Sequence, residues 1–178
     1  MMYSKLMFMF MVIVIATLTG CASNPDVPIP TSKRLILEQA LVGKMAGDGA
    51  IINALTGAET RFTVVITGSG DGKNLTLVEN FTYSDGKKEE KTWRLIKVSD
   101  GEYQGTRDDI IGTAKVIQDG NAVRLNYVLA VDTGLGKLAL NFRDLLSLQD
   151  DGTIENRAVA SKLGLRLARV VLTLHPVP

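Results

Sequence analysis

Short turn signals divide the chain between residues 44 and 174 into segments in which polar and apolar residues alternate. Most of these turns contain an Asp-Gly pair, as at residues 71–72, 85–86 and 100–101. Glycine supplies the positive φ that a tight hairpin needs, so Asp-Gly between strand-like segments is a strong hairpin signal. From Val123 to Val131 the odd positions are apolar, whereas Arg124 and Asn126 fall between them. This pattern predicts antiparallel strands with one buried face.

The turns and the alternating segments together predict about ten strands and an all-β fold. A helical turn at residues 32–41 is expected before them. Ten consecutive strands joined by tight turns favour an up-and-down barrel or a strongly curved sheet, since closure removes exposed edges. Few aromatic residues and short loops argue against a membrane-spanning barrel. The predicted strands are residues 44–52, 60–68, 74–83, 89–98, 102–107, 110–118, 121–132, 137–149, 153–162 and 165–174.

The N-terminus carries the pattern of a bacterial lipoprotein signal. Cys21, the only cysteine, follows Leu18-Thr19-Gly20 and an apolar run that is preceded by Lys5. The run is much shorter than the roughly 20 apolar residues of a spanning helix, although an uncleaved anchor is the alternative interpretation. We expect a signal peptide at residues 1–20, a lipidated Cys21 with a proline-rich tether at 21–36, and the barrel domain at 37–178. Residues 22 and 23 are not aspartate, which favours the outer membrane, facing the periplasm.

Composition and residue placement argue against several function classes. The chain has 20 Lys+Arg and 19 Asp+Glu, so loss of Lys5 with the signal leaves 19 of each and a neutral protein. A neutral domain is not typical of nucleic-acid binding. His175 is the only histidine and lies three residues from the C-terminus, so with Cys21 lipidated no nucleophile–base pair uses either residue. Adjacent Asp108 and Asp109 would point to opposite faces of a strand. We therefore expect no enzyme of these kinds, no metal and no cofactor.

An ordered series of motifs runs through the predicted barrel domain: Glu79-x-Phe81-x-Tyr83-Ser84-Asp85-Gly86, Trp93, Tyr103-x-Gly105-Thr106, Asp109-x-x-Gly112-Thr113-Ala114, Gly120-Asn121-Ala122, Tyr127-x-Leu129, Asp144, Asn156-Arg157-Ala158 and Lys162-x-Gly164. In this order and spacing the sequence resembles the DUF3833 family, bacterial lipoproteins of unassigned function, over roughly residues 37–174. The resemblance implies a lipocalin-like barrel, a lipid anchor and no established reaction. This chain departs from the family where it has Arg143-Asp144-Leu145-Leu146 in place of Asp-Asp-Trp-Met, and where it lacks aromatic residues near positions 41–48.

Charged residues within the apolar stripes indicate a polar cluster. Glu79 and Asp144 have apolar neighbours two positions away, so strict alternation points both inward. A buried carboxylate is costly unless it is paired and hydrogen-bonded, so we expect Arg143, Arg157 or Lys162 to lie nearby. One interpretation is a structural ion network that closes the barrel. The other is a headgroup site in which Arg157 binds a carboxylate or phosphate with two hydrogen bonds. The predicted cluster is Glu79, Asp109, Asp144, Arg157 and Lys162.

Two functions of different classes follow from a barrel of this kind. The first is a binding module that holds a fatty acyl or similar amphiphilic ligand in the barrel. The second is a structural or assembly lipoprotein of the envelope, with a filled barrel and a protein partner. Small residues facing inward would leave room for a ligand, whereas large aromatic residues would fill the lumen. The aromatic residues predicted to line the barrel are Phe81, Tyr83, Trp93, Tyr103 and Tyr127.

Overall fold

The computed structural model describes residues 31–133 and 136–178 as one short helix and ten strands. The predicted signal peptide, Cys21 and the first part of the predicted tether lie outside the described residues. The predicted and observed strand ends differ by no more than two residues. The elements are α1 (Leu37–Ala40), β1 (Gly43–Asn53), β2 (Glu59–Gly70), β3 (Asn74–Tyr83), β4 (Lys88–Ser99), β5 (Glu102–Thr106), β6 (Ile110–Asp119), β7 (Ala122–Asp132), β8 (Lys137–Leu148), β9 (Ile154–Lys162) and β10 (Leu165–Pro176).

The ten strands form a closed antiparallel barrel. Each strand pairs with its neighbours in sequence, and β1 also pairs with β10, from Met45 opposite Pro176 to Asn53 opposite Ala168. The prediction of an up-and-down barrel is confirmed, and closure excludes the alternative of an open curved sheet. Because no edge strand remains among these ten, their backbone groups pair all around the barrel. Among the residues that the structure describes, no helix is long and apolar enough to cross a membrane.

One end of the barrel is closed by α1 and the residues that precede it. The Leu35 N–H donates a hydrogen bond to the Gly120 carbonyl oxygen at 3.0 Å, and the Leu37 N–H donates one to Gln118 Oε1 at 3.1 Å. Leu35 and Leu37 are almost completely buried and join the main hydrophobic core. Leu35 falls in the predicted tether, which therefore ends earlier than residue 36. We call this the closed end, and the end formed by the turns after β1, β3, β5, β7 and β9 the far end.

The close approach of α1 to the barrel depends on a glycine in β2. A Cβ atom added at Gly68 would collide with the carbonyl oxygen and carbonyl carbon of Leu41, the residue that follows α1. The missing side chain thus lets the backbone after the helix lie directly against the inner wall of the barrel. The helix is only Leu37–Ala40, shorter than the turn predicted at residues 32–41.

Candidate functional site

Aromatic rings from several strands line the middle of the barrel. The Trp93 ring meets Tyr127 edge to face at 5.3 Å between centroids, and Tyr127 stacks on Phe142, also at 5.3 Å. Farther along, Phe62 meets Phe81 at 5.5 Å, edge to face. Such pairs contribute about 0.5–1.5 kcal/mol beyond the burial of their area. The lumen therefore has a rigid aromatic wall.

Arg107 lies at the centre of a polar cluster beside this wall, which we call the Arg107 group and which also contains Glu79, Lys91, Asp109, Asp144 and Asn156. Its Nε donates a hydrogen bond to Asp109 Oδ1 at 2.6 Å, and its Nη2 donates one to Asp109 Oδ2 at 3.3 Å. Its Nη1 is 3.6 Å from Glu79 Oε2, and its guanidinium carbon lies 4.8 Å from the centroid of the Trp93 ring. The Arg107 and Glu79 side chains are only 11% and 14% exposed. One cation is thus shared by two carboxylates and an aromatic face.

A second chain of contacts extends from Asp109 towards the far end. Lys91 Nζ lies 3.0 Å from Asp109 Oδ2 and 3.7 Å from Glu89 Oε2. Glu89 also accepts a hydrogen bond from the Tyr83 hydroxyl at 3.3 Å and forms an ion pair of 2.6 Å with Lys87, whose side chain is exposed. The buried pair at Arg107 is therefore continuous with charges at the surface.

Asp144 approaches the same region from β8. Its Oδ2 accepts a hydrogen bond from the Tyr127 hydroxyl at 3.3 Å. Asp144 Oδ1 and Asn156 Oδ1 are buried and accept no hydrogen bond among the described residues. Buried polar atoms without partners are uncommon in folded proteins and each one calls for an explanation. Here both atoms belong to residues that line the same space.

Burial raises the pKa of both inner carboxyl groups. It raises the pKa of Glu79 to about 7, with Arg107 opposing the change and the charges of Asp144 and Asp109 adding to it. Burial also raises the pKa of Asp144 to about 7, against the hydrogen bond from Tyr127, the neighbouring Asn156 and the charge of Arg107. Desolvation disfavours the charged form of a carboxyl group. Both groups therefore exchange protons near neutral pH.

A cavity of about 150 Å³ lies between the aromatic wall and the closed end. Side chains from α1 and from β2, β3, β4, β6, β7, β8, β9 and β10 line it, and most are apolar. The polar side chains that face the cavity are those of Glu79, Arg107, Tyr127, Asp144 and Asn156. The cavity is an apolar space with one concentrated polar wall.

The structure brings together three residues of the predicted cluster and places two elsewhere. Glu79, Asp109 and Asp144 surround Arg107. Arg157 lies on the outer surface and pairs with Glu155 at 3.0 Å, because neighbouring Asn156 is the residue of β9 that points inward. Lys162 ends β9, where its Nζ donates a hydrogen bond to the Ala139 carbonyl oxygen at 3.4 Å. Neither residue is therefore the basic partner of the buried carboxyls.

The predicted aromatic residues are spread along the barrel. Phe81, Trp93 and Tyr127 line the cavity. Tyr83 packs against Phe81 towards the far end. Tyr103 is buried near the closed end, where Glu38 of α1 and Lys97 lie beside it. Only part of this set therefore contributes to one site.

Sequence reasoning missed three polar residues of the site. Arg107 continues the inward positions Tyr103 and Gly105 beyond the end of β5, and Lys91 continues the inward stripe of Trp93. Asn156 lies between Ile154 and Ala158, which are both buried. Alternation counted through the polar positions identifies all three. Asp108 and Asp109 lie in the turn between β5 and β6 and not on one strand as expected, and they are still separated, since the Asp108 side chain is fully exposed and Asp109 lies beside Arg107.

The described part of the chain offers no set of side chains that could bind a metal ion together. Among residues 31–133 and 136–178, no group of three or more His, Cys, Asp or Glu side chains is placed to hold one. His175 lies exposed in β10, opposite Ala46 of β1. The carboxylates of the site instead face Arg107 and Lys91.

A closed ten-stranded barrel with one end covered by a helix, and with an ionisable group beside a lumen cavity, defines a lipocalin-like barrel. The family model described as "Protein of unknown function (DUF3833)" matches residues 15–176, and the chain belongs to this family. A comparison with curated proteins finds no match.

Two solved structures share the fold. The crystal structure of Rv2717c from M. tuberculosis matches with a TM-score of 0.54 and 19% identity, covering 79% of this chain and 94% of that chain. The S-type phycobiliprotein lyase CPES from Guillardia theta matches with a TM-score of 0.53 and 8% identity, covering 76% and 86% respectively. At these identities the likeness concerns the barrel alone.

Proposed function

We propose that this protein binds a small amphiphilic molecule inside its barrel, with the apolar part against the aromatic wall and the polar part at the Arg107 group. The observation that carries the proposal is the apolar cavity with two buried carboxyl groups and two buried oxygen atoms without hydrogen-bond partners on one side. Apolar cavities with a few convergent polar groups are the usual form of small-molecule sites. The fold also serves a phycobiliprotein lyase, which gives independent support to a role for such barrels beyond scaffolding.

The size of the cavity limits the ligand. Ligand pockets commonly measure about 300–1,000 Å³, whereas an apolar cavity of about 150 Å³ holds a molecule the size of benzene. The lumen of this protein is about 150 Å³. A ring or a short chain therefore fits the barrel as it stands. A long fatty acyl chain needs further space, and displacement of α1 from the closed end is the direct way to provide it.

The proposed site of action is the cell envelope. Lipidation at Cys21 would tether the barrel to the outer membrane, facing the periplasm. The first described residues lead into the closed end, where Leu35 is bonded to Gly120. A tether attached there supports an arrangement in which the far end of the barrel, with its exposed Lys87, points away from the anchor.

A structural or assembly role is the second candidate, and one observation favours it. The rings of Trp93, Tyr127 and Phe142 occupy the middle of the barrel in direct contact with one another. A lumen filled in this way resembles a packed core, and the Arg107 group would then serve only to neutralise buried charge. No reaction is proposed, because the lumen offers ionisable groups and no reactive nucleophile among the described residues.

The two candidates differ in what the purified protein carries. We expect native mass spectrometry of protein from its own membrane fraction, followed by extraction, to show a near-stoichiometric small amphiphile. Ala158 lines the cavity, so Ala158→Leu should fill part of it and reduce the bound amount. Ala139 is exposed on the same barrel, and Ala139→Leu is the matched control. Empty protein, or equal occupancy in both variants, would favour the structural role.

A further inference from the structure

We infer that the ligand of the lumen donates hydrogen bonds to the acceptor oxygen atoms of the Arg107 group. A protonated amine matches these acceptors best, and a ligand with an anionic headgroup does not match them. This inference rests on the proposed function. It follows from how the donors and acceptors of the site are already used.

The basic side chains of the site are committed. Arg107 gives two hydrogen bonds to Asp109, approaches Glu79 with its remaining nitrogen and lies over the Trp93 ring. Lys91 is held between Asp109 and Glu89 at 3.0 and 3.7 Å. A carboxylate or phosphate ligand would have to share these two cations with the three carboxylates that already face them.

The acceptors of the site have capacity to spare. Among the described residues none donates a hydrogen bond to Glu79, and its ion pair with Arg107 is long at 3.6 Å. Asp144 accepts a hydrogen bond from Tyr127 at Oδ2, and the Asn156 side chain lies beside the same carboxyl, but Oδ1 makes no hydrogen bond of normal geometry. Asn156 Oδ1 has none either. A donor group that enters from the cavity supplies what these oxygen atoms lack, whereas a second acceptor would add to the deficit.

The charges that face the site also favour a cation. They come from β3 with Glu79, from β4 with Glu89 and Lys91, from the β5–β6 connection with Arg107 and Asp109, and from β8 with Asp144. Lys87, at the surface, pairs with Glu89 at 2.6 Å, so when all are ionised four carboxylates face three cations. The side chains that line the cavity from α1, β2 and β10 are apolar, and β7 contributes the neutral Tyr127. One bound ammonium reduces this imbalance and one bound carboxylate increases it.

Proton linkage gives the two ligand classes opposite pH dependence. A bound cation stabilises the ionised forms of Glu79 and Asp144, whose pKa values of about 7 mean that both are partly protonated at neutral pH. Affinity for an amine should therefore rise with pH through about 7, by at most about tenfold per pH unit for each carboxyl that must ionise. Affinity for an anion should fall over the same range.

Three probes with one ring and different heads test this inference: benzylamine, benzyl alcohol and benzoate. The full lipidated chain in phosphatidylcholine vesicles is titrated with each, and binding is followed by the fluorescence of Trp93. This residue is the only tryptophan and it lines the cavity. At about pH 8 we expect benzylamine to bind at least about tenfold more tightly than the other two, with the preference shrinking towards about pH 6.

Variants that remove one carboxylate charge test whether Glu79 and Asp144 cause the preference for benzylamine. Glu79→Gln and Asp144→Asn keep the shape of the site, and each should weaken benzylamine binding about tenfold or more while leaving benzyl alcohol unchanged. Asp108→Asn is the control, because the Asp108 side chain is fully exposed beside the site. Tighter binding of benzoate, or an amine affinity independent of pH and of both variants, would overturn the inference while leaving the proposed function intact. If none of the three probes binds, the proposed function itself fails.

Discussion

Replacing Asp144 with asparagine should stabilise the protein at alkaline pH and leave it nearly unchanged in acid. The Asp144 carboxyl has a folded-state pKa of about 7 against an ordinary value of 3.8. A carboxyl whose pKa is raised by folding binds more protons in the folded state than in the unfolded state between these two values. Stability is therefore lost as pH rises from about 4 to about 7, and the loss is complete above that range.

The size of this effect follows from the shift in the pKa of Asp144. About three pKa units, at 1.36 kcal/mol each, correspond to an upper limit of about 4 kcal/mol of unfolding free energy. The amide of the Asp144→Asn variant keeps an oxygen that accepts from the Tyr127 hydroxyl, so little is lost in exchange. The charge of Asp144 raises the pKa of Glu79, so removing that charge in the variant also lowers the free energy needed to ionise Glu79.

Urea unfolding of wild type and Asp144→Asn at about pH 4 and about pH 8 measures this prediction. With a slope of about 1–3 kcal/mol per molar urea, a gain of even half the upper limit moves the midpoint by about 1 M at the higher pH. Other titrating groups are common to both proteins and cancel in the difference. A variant that is less stable than wild type at about pH 8, or equally changed at both pH values, would refute the assignment of Asp144 as a buried, partly protonated acid.

Three further predictions concern the anchor, the fold boundary and the basic residues. Cys21→Ser should abolish both acylation and signal processing, and metabolic labelling with a fatty-acid analogue tests this directly; a labelled mutant would contradict it. A chain beginning at Thr31 should be monomeric and rich in β-structure by sedimentation and circular dichroism, because the packed core starts at about Leu35. Arg107→Ala should cost about 3–5 kcal/mol of unfolding free energy, since it leaves buried carboxylates without their cation, whereas exposed Arg157→Ala should cost about 0–1.

The barrel could be predicted from the sequence because its strands and turns are determined by residues that are close together in the chain. Each Asp-Gly turn marks a hairpin, and alternation of apolar residues fixes which face is buried, so the strands fall within two residues of their expected positions. Closure between β1 and β10 joins residues more than a hundred positions apart, and the sequence left a curved sheet open as the alternative. The packing of α1 against the barrel could not be predicted either, because it depends on the missing side chain of Gly68 in β2.

The site was predicted only in part, for a related reason. Glu79 and Asp144 were found because a carboxylate inside an apolar stripe breaks the local pattern. The sequence offers Arg143, Arg157 and Lys162 as their basic partners, but Arg157 lies one position out of phase for the inner face and pairs with Glu155. Arg107 stands just beyond the end of β5, where the strand alternation ends, and its contact with Glu79 depends on the tertiary register of β3, β4 and β5.

The stability cost of the buried carboxyls bears on the choice between the two functions. Replacing a buried ion group with well-packed apolar side chains is often neutral or stabilising, so a barrel that needed only a filled core would gain by losing Glu79 and Asp144. Violations of the rules that the rest of a fold obeys are expected at functional sites. Here both carboxyls face the same cavity, and the orphan oxygens of Asp144 and Asn156 lie along it. A ligand that donates hydrogen bonds would satisfy these oxygen atoms, and its binding explains why the protein has two carboxyls that lower its stability. A purely structural ion network does not explain their presence.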